Sequence, residues 1–116
     1  MVVPRLLTLS AIARGDRAAA ISRIEAAISR CGWLVEARAF SGLYMSFQLE
    51  LERPRLGEFA QRMRDAGAPL DAPSEAALAD EVSVSSEREG AVPAALGVTF
   101  PHGNPDQRQV IPSVPG

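Results

Sequence analysis

The chain contains no lysine: all twelve basic residues are arginine, and they stand against fourteen acidic residues, for a net charge of −2. Together with the abundance of alanine, this indicates a compositional bias of the source genome rather than a particular chemistry. The arginines do not cluster with aromatic residues, whereas a nucleic-acid surface needs a basic patch to supply its phosphate affinity. We therefore expect no nucleic acid among its partners.

Cysteine and histidine occur once each, as Cys31 and His102. A single cysteine cannot form an internal disulfide, and a lone thiol is typical of a reducing cytoplasm. These two residues cannot complete a metal shell and there is no glycine-rich phosphate loop, so we expect neither metal nor cofactor. No run approaches the eighteen or so apolar residues of a membrane helix, and residues 1–13 fit a strand better than a secretory leader. The prediction is a cytoplasmic protein with no membrane partner.

The most informative feature that is present is the alternation of apolar and polar residues from Leu43 to Glu52. Its apolar members are Leu43, Met45, Phe47, Leu49 and Leu51. Successive side chains leave a strand on opposite faces, so a period of two predicts one dry face and one polar face. Something apolar must therefore cover one side of this strand.

Two amphipathic segments are predicted to provide that cover as helices. The first follows Asp16, which is placed to cap it, and ends before Gly32, where we expect a left-handed residue. The second begins at Pro54 and stops at Gly67. The first apolar stripe comprises Ala20, Ile21, Ile24, Ala27, Ile28 and Cys31, and the second comprises Leu56, Phe59, Ala60 and Met63. Both stripes are expected to pack on the dry face of the sheet.

The segment Trp33–Ala39 is predicted to form a hairpin with the alternating strand. A two-residue turn at Ser41-Gly42 would place Glu36 and Arg38 in the core, and burying an unpaired charge costs several kcal/mol. A three-residue loop, Phe40–Gly42, avoids this cost and leaves Gly42 free to adopt a left-handed conformation. The residues then predicted to lie opposite Leu43, Met45, Phe47 and Leu49 are Ala39, Ala37, Val35 and Trp33.

The remaining segments complete the predicted organisation. They are a first strand at about Val3–Ala13, a linker at Ala68–Pro73, a short helix from Ser74 to Asp80, and strands at Val82–Val84 and Ala95–Phe100. Residues 1–100 are predicted to form a single domain, because a chain of this length can bury one core. The prolines of residues 101–116 forbid a regular element, so this part is predicted to be an extended tail.

The order of elements predicts the fold class. Strand, helix, strand, strand, helix, strand is the order of the ferredoxin-like βαββαβ sandwich. We therefore predict an α+β fold with one antiparallel sheet and two helices on one face, with an extra C-terminal strand as an option.

The candidate binding site is the turn Arg14-Gly15-Asp16-Arg17, between the first strand and the first helix. The free amides and dipole of a helix start favour a carboxylate by about 0.3–1 kcal/mol. Arg14 and Arg17 could add bidentate contacts to that carboxylate, and Asp16, unless it is used in capping, could hold an ammonium group. An amino acid fits this description. An ordinary capped helix start with solvated arginines fits it equally well.

A second group of polar residues shares the outer face of the predicted hairpin. It consists of Glu36, Arg38 and Tyr44, which could surround a polar substrate in a small cofactor-free enzyme. Nothing in the sequence is a catalytic signature, and Cys31 lies on a core stripe where a thiol is usually inert. We therefore assign no catalytic residue and expect a binding function rather than an enzyme.

Several short segments resemble the ACT-domain family of small ferredoxin-like regulatory modules. They are Ala13–Arg17, the stripe Ile21-Ile24-Ile28, Cys31-Gly32-Trp33, the alternating Met45–Leu51 and Arg53-Pro54-Arg55-Leu56. The likeness covers about Leu6 to Gly67. Within the family, the short small regulatory subunits of acetolactate synthase are most similar, because they too run from an alternating strand into a Pro-Arg step and a second helix.

The resemblance implies a regulatory module, usually a dimer, that binds an amino acid between the strand-helix turn of one protomer and its neighbour. It carries Gly15 and Asp16 over as matching positions, with Arg14 and Arg17 as flanks. Many family members place Pro-Gly after the Asp-Arg pair, where this chain has Ala18-Ala19. The alternative is a ligand-free interaction subunit that docks on a partner through a sheet edge or the proline-rich tail.

Overall fold

The computed structural model describes residues 6–84 and 89–101, which form a four-stranded mixed sheet and three helices. The strands are β1 (Leu7–Ile12), β2 (Gly32–Ala39), β3 (Tyr44–Glu52) and β4 (Ala91–Thr99). The helices are α1 (Arg17–Cys31), α2 (Leu56–Asp65) and α3 (Ala72–Val84). The predicted α+β class is confirmed. In the described part of the chain, no helix is long and apolar enough to cross a membrane.

The sheet order is β1-β4-β3-β2, and its pairing differs from the prediction of an antiparallel sheet. β1 runs parallel to β4, with Leu9 beside Leu96, while the other two pairs are antiparallel. The reason lies in the connection between β3 and β4. This connection contains two helices, α2 and α3, where the ferredoxin-like order has one. The chain therefore enters β4 in the direction opposite to β3. β4 therefore lies antiparallel to β3 and parallel to β1.

The alternation along β3 is confirmed as the basis of the core. Phe47 and Leu49 are 0% and 2% exposed, whereas Gln48 between them is exposed on the other face. All three helices pack on the buried face, and their side chains join those of the strands in one apolar cluster. The buried helical residues include Ile24 and Ile28 of α1, Phe59 and Met63 of α2, and Leu78 of α3. Fully burying each large side chain is worth roughly 1.5–3 kcal/mol.

The predicted hairpin register is wrong by two residues. Ala37 lies opposite Phe47 and Ala39 opposite Met45, so the loop has four residues and its glycine is not left-handed. A β-bulge between Leu34 and Glu36 then inverts the alternation of β2. Leu34 packs against the core in place of the two residues predicted to lie there. Those residues are Trp33 and Val35, which are 48% and 60% exposed.

The junction between α1 and β2 occurs at Gly32, as predicted, but for a different reason. Its backbone is extended, with φ of 173°, so no left-handed conformation requires glycine here. Instead, a Cβ at this position would overlap the carbonyl oxygen of Glu50 on β3. Glycine is needed because the two backbones approach closely.

The last third of the chain differs most from the prediction. Val82–Val84, predicted as a strand, is the end of α3, and β4 extends from Ala91 to include most of the predicted strand 95–100. The carboxylate of the buried Glu81 lies 3.1 Å from the guanidinium of Arg53, which supports the longer helix. Residues 102–116, predicted to be an extended tail, lie outside the described residues, as does His102.

The connection from α2 to α3 covers the outer edge of β1. The Ser10 amide donates to the Ser74 hydroxyl at 2.8 Å, and the Ile12 amide donates to the Pro69 carbonyl at 3.4 Å. The Asp71 amide donates back to the Ser10 carbonyl at 2.9 Å. One edge of the sheet is therefore closed by the chain itself.

Candidate functional site

The turn that the sequence singled out connects β1 to α1 and is exposed from Arg14 to Asp16. Gly15 has φ of +81°, a left-handed conformation that glycine adopts more readily than residues with a side chain. No atom outside the turn lies within 4 Å of the position of a Cβ on Gly15. The space beside the backbone at this point is therefore open.

Asp16 caps α1, as the sequence predicted. Its Oδ2 accepts a hydrogen bond from the Ala19 amide at 2.9 Å, and its carbonyl accepts from the Ala20 amide. An aspartate in this role stabilises the helix by about 1 kcal/mol relative to alanine. This carboxylate is therefore engaged in capping, which was the condition under which it would not hold an ammonium group.

Arg17 is engaged in contacts between elements. Its Nη2 donates to the carbonyl of Ser41 in the hairpin loop at 3.4 Å, and its guanidinium lies 5.1 Å from the centroid of the Phe100 ring. Cation–π contacts of this kind contribute about 0.5–2 kcal/mol. The Nε of Arg17 is buried and has no hydrogen-bond partner among the described residues. The side chain joins α1 to the hairpin loop and to the end of β4.

Arg14 is the member of the predicted site whose charge is left available. Its backbone amide donates to the Gly67 carbonyl at 3.0 Å, which fixes the base of the side chain. The guanidinium is exposed and makes no ion pair or hydrogen bond with any described residue. It lines a cavity of about 400 Å³ beside the closed edge of the sheet. The other lining residues are Ser10, Ala11, Ile12, Pro69, Leu70, Asp71 and Thr99.

Asp71 gives this cavity a negative group that the sequence analysis missed. Its Oδ1 accepts from the Ser74 amide at 2.9 Å, so Asp71, not Ser74, caps α3. Ser74 instead accepts from the amide of Ser10. The signal was present, because an aspartate directly before Ala72-Pro73 is typical of a helix start, but the helix was predicted to begin only at Ser74. The cavity thus combines one arginine and one aspartate with apolar walls.

The outer-face group considered for an enzyme is only partly assembled. Glu36 and Arg38 form an exposed ion pair at 2.9 Å, and they line a cavity of about 370 Å³ with Phe40, Ser46 and Gln48. Tyr44 is not part of that lining. Its ring lies 5.9 Å from that of Phe40, and its hydroxyl occupies the space over Gly97. The pair is therefore two solvated charges rather than a catalytic constellation.

Cys31 offers no reactive alternative. It is fully buried, and burial, followed by the negative charge of Glu58, raises the pKa of its thiol to about 11. A thiol with such a pKa is protonated at neutral pH and is a poor nucleophile. Among the described residues, no group of three or more histidine, cysteine, aspartate or glutamate side chains could hold a metal ion.

Comparison of the chain with family models, curated proteins and solved structures found no match. The chemistry of the cavity beside Arg14 is therefore the basis for any statement about function.

Proposed function

We propose that this protein is a regulatory module that binds a small amino acid or a related metabolite beside Arg14. Occupancy of the site would control a partner enzyme or the protein's own oligomer. The observation that carries the proposal is the cavity in which an arginine without a carboxylate partner among the described residues shares its lining with Asp71. A zwitterion has the complementary pair of charges.

The proposed ligand is oriented by its two charged groups. Its carboxylate would accept two hydrogen bonds from the guanidinium of Arg14 in a bidentate pair. Its ammonium group would donate to Oδ2 of Asp71, because Oδ1 already accepts from the Ser74 amide. Ile12, Pro69 and Leu70 offer apolar surface to the ligand side chain. The volume of about 400 Å³ lies within the usual range of about 300–1,000 Å³ for small-ligand sites.

The position of the cavity connects binding to the fold. Arg14 follows β1, and Asp71 lies in the connection that closes the edge of β1. A ligand held by both residues would link these two segments and stabilise the closed arrangement by mass action. This is a physical means by which occupancy could be passed to a partner.

The proposed relation to the ACT-domain family rests on the capped turn at Arg14–Arg17 and on the order of the first five elements. The ferredoxin-like assignment is proposed on the same order of elements. The parallel pairing of β1 with β4 and the third helix are departures from that pattern. A cytoplasmic location is proposed because Cys31 is a buried free thiol.

The test is calorimetric titration of the protein with each of the twenty amino acids, accompanied by thermal-shift measurements at millimolar ligand. We expect at least one amino acid to bind. Arg14→Gln and Asp71→Asn should each weaken that ligand by about tenfold or more, because each removes a charge-assisted hydrogen bond. Asparagine still caps a helix, so Asp71→Asn preserves α3.

Arg30→Gln is the matched control, because Arg30 is an exposed arginine of α1 that does not line the cavity. It should leave the affinity unchanged. If none of the twenty amino acids gives heat or a thermal shift, the proposal is wrong.

The second candidate function, a ligand-free interaction subunit, is favoured by one observation. No segment within residues 6–84 and 89–101 covers the outer edge of β2, whereas the edge at β1 is covered. A protein that acts only by docking would retain its partner binding in the Arg14→Gln variant.

A further inference from the structure

A second group of charged side chains lines the groove between α1 and α2. The groove holds a cavity of about 210 Å³, and its lining includes three small side chains, those of Ala26, Ala27 and Ala66. The charged residues of the lining are Arg23 and Arg30 of α1 and Arg62 and Asp65 of α2. This cavity shares no lining residue with the cavity beside Arg14. The groove is therefore a separate place on the molecule.

Arg23 is held in position by a contact at the end of α2. Its Nε donates to the carbonyl of Ala66 at 2.9 Å, immediately after the last residue of that helix. The terminal nitrogens of its guanidinium form no ion pair or hydrogen bond with any described residue. The side chain is fixed in place while most of its N–H donors stay available.

Arg30 and Arg62 are also incompletely neutralised. The guanidinium of Arg30 is exposed and makes no ion pair or hydrogen bond with any described residue. The Nε of Arg62 lies 3.1 Å from one carboxylate oxygen of Glu58. The other oxygen of that carboxylate lies 3.5 Å from Nη1 of Arg55, so two arginines share a single negative charge. The terminal nitrogens of Arg62 remain available to a ligand.

The charge of the lining indicates the class of ligand. Three arginines and one aspartate give it a net charge of +2, in a chain whose net charge is −2. The aspartate, Asp65, already accepts a hydrogen bond from the Nε2 of Gln61 at 2.9 Å. A phosphate monoester carries a charge of about −1.5 to −2 at neutral pH and has three acceptor oxygens. A carboxylate has one negative charge and two oxygens, so it matches three guanidinium groups less well.

The helix ends explain only part of this arrangement. Arg30 lies in the last turn of α1 and Arg62 in the last turn of α2, where a positive charge is favourable. That preference does not depend on which side of the helix the arginine occupies. It does not account for the presence of both residues in one groove together with Arg23, which lies two turns before Arg30 on the same face of α1.

We propose that the groove between α1 and α2 binds the phosphate group of a small phosphorylated metabolite. Arg30 and the terminal nitrogens of Arg23 and Arg62 would donate to the phosphate oxygens, as guanidinium groups do in bidentate pairs. The cavity is smaller than the range of about 300–1,000 Å³ that is usual for a whole ligand. This size suits one anionic group, with the rest of the ligand outside the groove.

Titration with inorganic phosphate at constant ionic strength, followed by nuclear magnetic resonance of the arginine Nε–H groups, tests the proposal. We expect the signals of Arg23, Arg30 and Arg62 to shift together along one saturable curve at millimolar phosphate. Methyl phosphate should bind as tightly as inorganic phosphate, because an ester leaves three oxygens free. Acetate should bind about tenfold more weakly or worse. Binding of inorganic phosphate with rejection of methyl phosphate would overturn the assignment to a phosphorylated metabolite.

Arg30→Gln and Arg23→Gln should each weaken phosphate binding by about tenfold or more, because each removes charge-assisted hydrogen bonds. Arg30→Gln is the more decisive variant, since the guanidinium of Arg30 has no contact within the described part of the chain that its loss could disturb. Arg38→Gln is the matched control, because Arg38 is an exposed arginine of β2 outside this lining. It should bind phosphate as the natural sequence does, and circular dichroism should show that every variant is folded.

Three results would each overturn the proposal. They are the absence of a saturable shift, unchanged phosphate affinity in Arg30→Gln, and equal affinities for acetate and phosphate. None of them bears on amino-acid binding beside Arg14, because the two cavities have no lining residue in common.

Discussion

The two edges of this sheet carry the same kind of unpaired backbone and treat it differently. At β1, the segment from Gly67 to Ser74 accepts or donates hydrogen bonds at Ser10 and Ile12 and places Leu70 in the core. At β2, no described segment lies along the outer side of the strand, opposite β3. The first edge is closed within the monomer, and its cover creates the cavity that holds Arg14.

The difference shows where a small ligand can bind. Closing the β1 edge produces a concave site with opposite charges, which suits a small ligand. At the other edge, β2 carries a bulge between Leu34 and Glu36 and two exposed charges, which are features that protect natural edge strands from pairing. The two surfaces lie at opposite ends of the sheet order, so each can be altered without changing the other.

The largest expected effect comes from removing the anchor of the closed edge. Leu70→Ala should lower the free energy of unfolding by about 3 kcal/mol, because Leu70 is 6% exposed and packs in the core. Leu43→Ala makes the same change in the hairpin loop beside the open edge, where the side chain is 51% exposed. It should cost less than about 1 kcal/mol. Urea unfolding of both variants measures the difference, and equal losses would show that the edges are not distinct.

A smaller effect is expected from the hydrogen bond that closes β1. Ser74→Ala removes the acceptor of the Ser10 amide and should cost about 1–3 kcal/mol, because a part-buried donor is left without a partner. Ser22→Ala, at an exposed position of α1, should change stability by less than about 0.5 kcal/mol. Chemical unfolding again provides the measurement. A neutral Ser74→Ala would mean that this bond does not hold the edge.

The smallest effect on stability is expected at the open edge. Ala37→Lys places the residue that usually guards edge strands in the middle of β2. The monomer should change in stability by less than about 0.5 kcal/mol, because Ala37 is exposed. Urea unfolding provides the measurement, and a loss of more than about 1 kcal/mol would mean that this edge is packed rather than exposed.

Local patterns in the sequence predicted the elements whose periodicity is unambiguous. The alternation around Phe47, the apolar stripes of both predicted helices and the cap at Asp16 are all present in the structure. Each of these features depends on neighbours within a few residues. Such features can be derived from one chain without knowing its tertiary contacts.

The features that were missed depend on contacts distant in the sequence. The β-branched Val82 and Val84 favour a strand locally, but the ion pair of Glu81 with Arg53 supports a helix through this segment. The bulge at Val35 is set by the pairing of β2 with β3. For the same reason the site was only half predicted. Asp71 reaches the neighbourhood of Arg14 because its connection closes the edge of β1.

Amide hydrogen exchange at the two edges, measured at several protein concentrations without ligand, tests the central claim most directly. We expect the amides of Ser10 and Ile12 to be protected at every concentration, because their acceptors lie within the monomer. The amides of Ala37 and Ala39 should exchange quickly in dilute protein, because the bond from the Phe40 amide to the Tyr44 carbonyl sets a pattern that directs them away from β3. Slow exchange of these two alanines in dilute protein, or the same protection at both edges, would contradict the account.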